Sequence, residues 1–357
     1  MLDARLGKQR GTFTLDVAFS AASGSTTVLL GESGSGKTSV LRLLAGLDRL
    51  DSGWLTVEGA RYADAIAGLH VPPWLRDIGY VAQDYALFPH LSVFDNVAFG
   101  LRAGRYPRRQ VRTRVLDALA LVGIPELAER RPGQLSGGQQ QRAAVARALV
   151  LDPRLLLLDE PLSSLDLQTR RALRVELRAL LRRLSCVTVY VTHSPVEALV
   201  LGDRLVVLDG GRVAQAGSRD DLLRSPRSPF VAELVGTNLF VGRPVERGWT
   251  PSEAIRTPHG TYAVEETGGS GATYLTVSPR EITLFRARPD SSAQNVFAGT
   301  VQEIVPEPPG GERVRVVLRT KPVLVAEVTR EAVGELALVE GTPVFAAFKA
   351  TGVHVYT

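Results

Sequence analysis

Apolar positions along the first two-thirds of the chain fall into two alternating patterns. Thr26–Leu30 and Val187–Thr192 are short apolar runs that read as strands, the second rich in β-branched residues. Residues 155–158 are four consecutive leucines between Pro153 and Pro161, the pattern of a strand buried on both faces of a parallel sheet. Residues 37–47 instead place apolar side chains at Val40, Leu41, Leu43, Leu44 and Leu47, which is helical spacing. Residues 205–209 and 212–216 flank Gly210-Gly211 and predict a hairpin. Residues 87–134 read as an inserted helical subdomain, with Arg105, Arg108, Arg109, Arg112 and Arg114 on a solvated face. Strands alternating with helices predict an α/β domain over residues 1–237.

After Gly236 the helical period fades. Short β-rich runs at 274–277, 296–305, 313–318, 323–328, 343–348 and 353–356 predict a small all-β, OB-like barrel domain over 238–357. Two sections, 238–288 and 291–357, are each expected to be barrel-like, and residues 306–311 (PEPPGG) a hairpin tip.

Composition narrows this picture. The 357 residues suggest two or three domains. With 45% hydrophobic and 22% charged residues, the chain has the make-up of a globular protein with ample core. The net charge of +5 divides into +6 over residues 1–237 and −1 over 238–357, which argues against a nucleic-acid partner for the tail. Cys186 is the single cysteine, so no intrachain disulfide forms, and a reducing compartment fits. The first residues carry an early acid and no signal-peptide core. No apolar run reaches the length of a membrane span.

The sharpest chemical signal is Gly31-Glu32-Ser33-Gly34-Ser35-Gly36-Lys37-Thr38, between a predicted strand and a predicted helix. It matches G-x-x-x-x-G-K-[ST] in full. Glycines let successive backbone N–H groups face one anion, the helix start adds its positive dipole end, Lys37 brings a cation, and Thr38 offers a hydroxyl to Mg²⁺. Ser39 continues the first turn. Asp159, at the end of the leucine strand, is the candidate metal-side carboxylate, and Glu160 the candidate for polarising a water.

Leu135-Ser136-Gly137-Gly138-Gln139, followed by QQRAAVARAL, resembles the signature of the ATP-binding cassette (ABC) ATPases. The resemblance covers nearly all of residues 1–237 and implies a P-loop ATPase fold, a RecA-like core with a helical subdomain. It implies ATP and Mg²⁺ as cofactors and a homodimer in which Ser136, Gly137, Gly138 and Gln139 face the ATP of the other subunit. By the same resemblance Gln83 is the Q-loop glutamine near the metal or water, Ser163-Ser164-Leu165-Asp166 the D-loop, and His193 the switch histidine at the γ-phosphate. Thr38, Gln83 and Asp159 would hold the metal. Two positions depart from the family. Ser194-Pro195 follow the histidine, where Ser194, Pro195 and Glu197 read as N-cap, first-turn proline and capping-box acid. The adenine-stacking aromatic is expected near Lys8, whereas the nearest aromatic, Phe13, alternates with Leu15 and Val17 as a strand core residue.

Residues 203–240 resemble the end of an importer ATPase. The tail resembles the transport-associated oligonucleotide-fold (TOBE) domain of the molybdate/tungstate variety, on Ser291-Ser292-Ala293-Gln294-Asn295 and on the segment from Phe348 to Val355 that holds Lys349 and Thr351. Hydroxyl, amide and ammonium donors suit an oxyanion, and Ser292, Lys349 and Thr351 are its candidate ligands. Gln294 stands where that variety has arginine. The resemblance implies an importer subunit at the cytoplasmic face of the plasma (inner) membrane, bound to transmembrane permease subunits and served indirectly by a periplasmic or extracellular substrate-binding protein. Molybdate or tungstate is the leading cargo, with sulfate/thiosulfate, iron, sugar and polyamine as alternatives. A non-transport ABC ATPase and an oxyanion-sensing module are the readings of another class.

Overall fold

The computed structural model describes residues 1–163, 165–245, 253–258, 260–264, 273–307 and 311–357. They form two compact units, Met1–Leu222 and Leu223–Thr357. In the first, the strands are β1 (Leu2–Arg10), β2 (Phe13–Ala21), β3 (Thr26–Leu30), β4 (Ser52–Val57), β5 (Ala60–Asp64), β6 (Leu69–His70), β7 (Ile78–Val81), β8 (Leu155–Asp159), β9 (Val187–Thr192), β10 (Arg204–Asp209) and β11 (Arg212–Gly217). The helices are α1 (Lys37–Ala45), α2 (Val93–Ala103), α3 (Arg108–Leu121), α4 (Gly137–Leu149), α5 (Leu167–Leu181) and α6 (Pro195–Leu201), and the division between the units falls within α7 (Arg219–Arg224).

The strands form one sheet in the order β6-β5-β4-β1-β2-β11-β10-β3-β9-β8-β7. From β10 to β7 all neighbours run parallel. The leucine run lies on β8 and is fully buried, as its two-sided apolar pattern requires. Because both faces of β8 are apolar, the cost of a register slip falls on its ends, where it would draw the charged Arg154 or Asp159 into the apolar interior, and this fixes Asp159 and Glu160 at the strand's end. Helix α1 buries Val40, Leu41, Leu43 and Leu44 and stops at Gly46, whose φ is 77°. Leu47, expected on the helical face, lies beyond that stop and is exposed. The β10–β11 hairpin turns on Gly210-Gly211 with φ 51° and 82°, and a Cβ at Gly211 would stand 2.2 Å from the Thr14 carbonyl oxygen. In the inserted segment α2 and α3 pack on each other and on α4, and the five arginines of residues 105–114 are exposed.

The second unit begins earlier than 237. Its first residues are fastened to its own C-terminus, where Tyr356 Oη donates to the Pro226 carbonyl and Arg227 Nη2 to the Thr357 carbonyl at 2.8 Å. It contains α8 (Pro229–Val235), β12 (Asn238–Val245), β13 (Glu253–Thr257), β14 (Gly260–Val264), β15 (Thr273–Val277), β16 (Thr283–Phe285), β17 (Asn295–Pro306), β18 (Arg313–Arg319), β19 (Leu324–Thr329), α9 (Arg330–Glu335), β20 (Pro343–Phe348) and β21 (Val353–Tyr356). Two five-stranded sheets result, β14-β13-β12-β15-β21 and β16-β20-β17-β18-β19.

The two expected sections are therefore not separate barrels. The last strand, β21, pairs with β15 of the first section, and β16 pairs with β20 of the second. One apolar core joins them, from Phe240, Tyr262 and Leu275 to Val316, Ala346 and Phe348. Within the expected tip at 306–311, residues 308–310 lie outside the described residues.

Candidate nucleotide site

The loop after β3 ends in Gly36, the N-cap of α1, with φ 103°. A Cβ there would stand 2.7 Å from Leu15 Cδ1 and 3.2 Å from the Phe13 ring, so only glycine fits. Ser92, Ser136, Asp166, Ser194 and Ser228 cap α2, α4, α5, α6 and α8 with their side chains, whereas α1 has no such cap and no acid in its first turn. Its open N–H groups, with the positive end of the helix dipole behind them, form a seat for an anion. Lys37, 6% exposed, folds back over the loop. Its Nζ donates to the Gly31 carbonyl at 2.8 Å, to the Glu32 carbonyl at 2.7 Å and to Ser35 Oγ at 3.5 Å. Gly31, Glu32 and Ser35 thus brace the lysine rather than line the cleft. Burial lowers the Lys37 pKa, and the charges of Glu160 and Asp159 oppose that shift.

Asp159 is 5% exposed. Burial pushes its carboxyl above the ordinary range, against the Tyr80 hydroxyl, which donates to Oδ2 at 3.2 Å. Burial likewise pushes Tyr80 up to about 12. Glu160 has φ 44°, a left-handed conformation that side chains adopt at a cost of about 1–3 kcal/mol. Its N–H donates to the Val191 carbonyl at 3.0 Å, and its own carbonyl accepts from Ser163 Oγ at 2.8 Å. The turn so held aims the Glu160 carboxylate at His193, with Nδ1 to Oε2 at 2.9 Å.

A cleft of about 620 Å³ collects Ser33, Gly34, Gly36, Lys37, Thr38, Ser39, Gln83, Glu160 and His193. Phe13 lines it too and is at the same time a half-buried residue packed against the core, which corrects its reading as a core residue alone. Ser136, Gly137, Gly138, Gln139 and Asp166 do not line this cleft. Ser136 Oγ accepts from Gln139 N at 3.3 Å while Gln139 Oε1 accepts from Ser136 N at 3.0 Å, a capping box that starts α4. Asp166 caps α5 through the N–H groups of Gln168 and Thr169, and the Thr169 N–H foremost holds its carboxyl below the ordinary range. Ser164 lies outside the described residues.

Three supporting residues carry no sequence signal of their own. Tyr85 and Ala86, both left-handed at φ 60° and 45°, follow Gln83. Arg147 of α4 donates to their carbonyls at 2.8 and 2.7 Å, and Tyr85 Oη donates to the Pro161 carbonyl at 3.0 Å. The Gln83 loop is thereby tied to the signature helix and to the Glu160 turn. Tyr80, beneath Asp159, is the third. Glu197 also departs from expectation: Ser194 Oγ accepts from its N–H at 3.4 Å, but its carboxylate does not return to Ser194 N, which donates to Thr192 Oγ1 at 2.9 Å.

In the second unit Asn295 pairs with Phe348 across β17 and β20. The segments 291–294 and 349–351 therefore leave one end of one strand pair. Ser292, Lys349 and Thr351 are all exposed there. Asn295 itself is turned inward, where Oδ1 accepts from Ala263 N at 2.8 Å and Nδ2 donates to Ala263 O at 2.9 Å.

Among the described residues no helix is long and apolar enough to cross a membrane, and no cluster of three or more His, Cys, Asp or Glu could hold a metal unaided. The ABC transporter family profile matches residues 15–163, and that of the TOBE domain residues 291–355. The molybdate/tungstate import ATP-binding protein WtpC of Pyrococcus horikoshii is 37% identical over 347 residues, 96% of this chain and 95% of that one. The Fe(3+) ions import ATP-binding protein FbpC 1 of Rhizobium meliloti is 42% identical over 297 residues, 82% and 81% of the two chains. Among solved structures, the dimeric post-hydrolysis state of the ATP-binding cassette MJ0796, bound to ADP and Pi, is 28% identical and superposes with a TM-score of 0.51 over 61% of this chain and 99% of that one. With P-loop, signature and TOBE segment in one chain, and import ATP-binding proteins alike over most of its length, the protein belongs to the ABC transporter family as an ATP-binding, ATP-hydrolysing import subunit.

Proposed function

We propose that the chain energises import of molybdate or tungstate. It would do so as a homodimer on transmembrane permease subunits at the cytoplasmic face of the membrane, with a substrate-binding protein delivering the cargo. Residues 1–237 are the ATPase part and 238–357 the oxyanion-type tail. The observation that carries the cargo reading is the pairing of Asn295 with Phe348, which gathers the Ser292 and Lys349–Thr351 donors at one end of one sheet. Similarity to the molybdate/tungstate protein through 96% of the chain supports the same cargo.

In the proposed cycle the first-turn amides of α1 and the Lys37 ammonium bind the phosphates. Thr38, Gln83 and Asp159 hold Mg²⁺, which when bound draws charge from the phosphate oxygens. A single buried carboxylate beside a hydroxyl suits an ion that keeps waters and substrate phosphates among its ligands. Glu160 orients and polarises the attacking water, and His193 holds the Glu160 carboxylate at 2.9 Å. Ser136 to Gln139 and Asp166 lie outside their own chain's cleft, so they are free to serve a second copy. With Gln139 N capped by Ser136, the Gly137 and Gly138 amides open α4 as an anion seat.

Glu160→Gln should abolish turnover and trap ATP-bound dimers in size-exclusion chromatography; wild-type hydrolysis in that variant sinks the mechanism. Calorimetry of the full chain with molybdate, tungstate and sulfate tests the cargo. Heat with the first two supports it, and silence with all three returns the tail to a pairing role. Iron and polyamine are the second readings: the Rhizobium iron protein is 42% identical over 82% of the chain, and a spermidine/putrescine import protein of Acidothermus cellulolyticus 42% over 79%.

A further inference from the structure

Glu197 sits in the first turn of α6, is 3% exposed, and does not line the nucleotide cleft. Taking a carboxylate out of water is costly unless hydrogen bonds replace the lost hydration. An acid at this helix position has another use, to accept the N–H of its own N-cap, which Glu197 leaves to the Thr192 hydroxyl. Its Oε2 accepts instead from Tyr190 Oη at 2.9 Å and from Thr192 Oγ1 at 2.8 Å. Both donors are buried, Tyr190 completely, so the carboxylate replaces water as their partner.

The consequence lies in the chain between these groups. Thr192 Oγ1 accepts the Ser194 N–H at 2.9 Å, and Ser194 Oγ accepts the Glu197 N–H at 3.4 Å. This ring closes around residues 192–197 and holds the residues immediately before and after His193. The neighbouring Val191 carbonyl accepts the Glu160 N–H. One strand end therefore sets both Glu160 and His193, and Glu197 is the buried anchor of the His193 side.

We infer that Glu197 is a positioning residue for turnover: through Thr192 and Ser194 it fixes the main chain on either side of His193 and keeps the imidazole at the Glu160 carboxylate. The inference rests on the role proposed above for His193. A helix-stabilising acid alone would predict a loss of folding stability and no specific link to His193.

The test is a double-mutant cycle on the full chain, reading kcat and KM for ATP together with the thermal midpoint. Glu197→Gln keeps the shape but weakens acceptance of two hydroxyls. It should lower kcat by about 10- to 100-fold, the range expected when a reacting group is displaced by about 1 Å, and leave KM within about twofold. In a His193→Ala background the same substitution should cost nothing further. Thr192→Val, which cuts the link to Ser194 and removes one of the two hydroxyls on Glu197 while leaving the carboxylate itself and the Tyr190 bond, should show the same kcat loss and non-additivity, and it serves if Glu197→Gln fails to fold. An equal loss of kcat in both backgrounds overturns the inference, as does an unchanged kcat in a variant whose His193→Ala parent is impaired. A fully active His193→Ala protein refutes instead the role given to His193, and the inference falls with it.

Discussion

Asn295→Ala separates two uses of one residue. As part of the segment resembling an oxyanion motif, Asn295 would face a ligand. In the fold it is 3% exposed and joins the first residue of β17 to β14, the end strand of the other sheet. Its two bonds to Ala263, at 2.8 and 2.9 Å, satisfy the N–H and the carbonyl of one buried residue. Truncation leaves both without a partner, and each orphaned buried group costs about 1–3 kcal/mol. The C-terminal unit should lose about 2–6 kcal/mol. At 1.4 kcal/mol per decade, the Ala263 amide should exchange its hydrogen about 30-fold faster or more where exchange follows unfolding of this unit. Asn295→Asp should be at least as harmful, since it turns the Nδ2 donor into an acceptor facing Ala263 O and buries a charge. Residue-resolved hydrogen exchange by NMR, alongside urea unfolding, measures both. An Ala263 amide as protected in Asn295→Ala as in the wild type, with a urea midpoint unchanged and oxyanion binding lost, would refute the reasoning.

Phe13→Ala should raise KM for ATP about tenfold with little change in kcat, since stacking of a base on a ring is worth about 1–3 kcal/mol; Phe13→Trp should restore it, and an unchanged KM returns Phe13 to the core alone. Arg313 foremost, with Arg280, holds the Glu327 carboxyl below its ordinary 4.5. Because the folded value is the lower one, this stabilisation is complete above about pH 4.5 and is lost as pH falls through the folded value. Chemical denaturation followed from about pH 6 downward should show the wild-type midpoint falling toward that of Glu327→Gln; parallel curves would rule this out.

The residues of the candidate nucleotide cleft were legible because phosphate chemistry demands particular residue types at fixed spacing. Ser33, Gly34, Gly36 to Ser39, Gln83, Glu160 and His193 come together in one cleft, and the leucine strand that delivers Glu160 announces itself by composition. Supporting residues were not legible, for a physical reason. Arg147 acts through hydrogen bonds to two main-chain carbonyls 61 and 62 residues away, Tyr85 through one to a carbonyl 76 residues away, and Tyr80 through one to a carboxylate 79 residues away; the carbonyls are groups that any residue could supply. Such bonds leave no periodicity and no composition bias. Glu197 misled for a related reason: three residues after a serine and two after a proline it has the address of a capping acid, and only the hydroxyls on β9 redirect it inward.

In the tail, alternation located the strands and could not choose their partners. Period two states which face of a strand is apolar, and every strand of a closed core satisfies that condition equally. The exchange of β21 and β16 between the two sections, and the anchoring of residues 226–227 on the C-terminus, are decided by three-dimensional closure of the shared core around Tyr262 and Phe348. The same closure turns Asn295 inward while leaving Ser292 and Lys349 on the outside. A motif read as one unit is thereby divided: its last residue builds the barrel, and only the residues before it, together with those that follow Phe348, remain available to an anion.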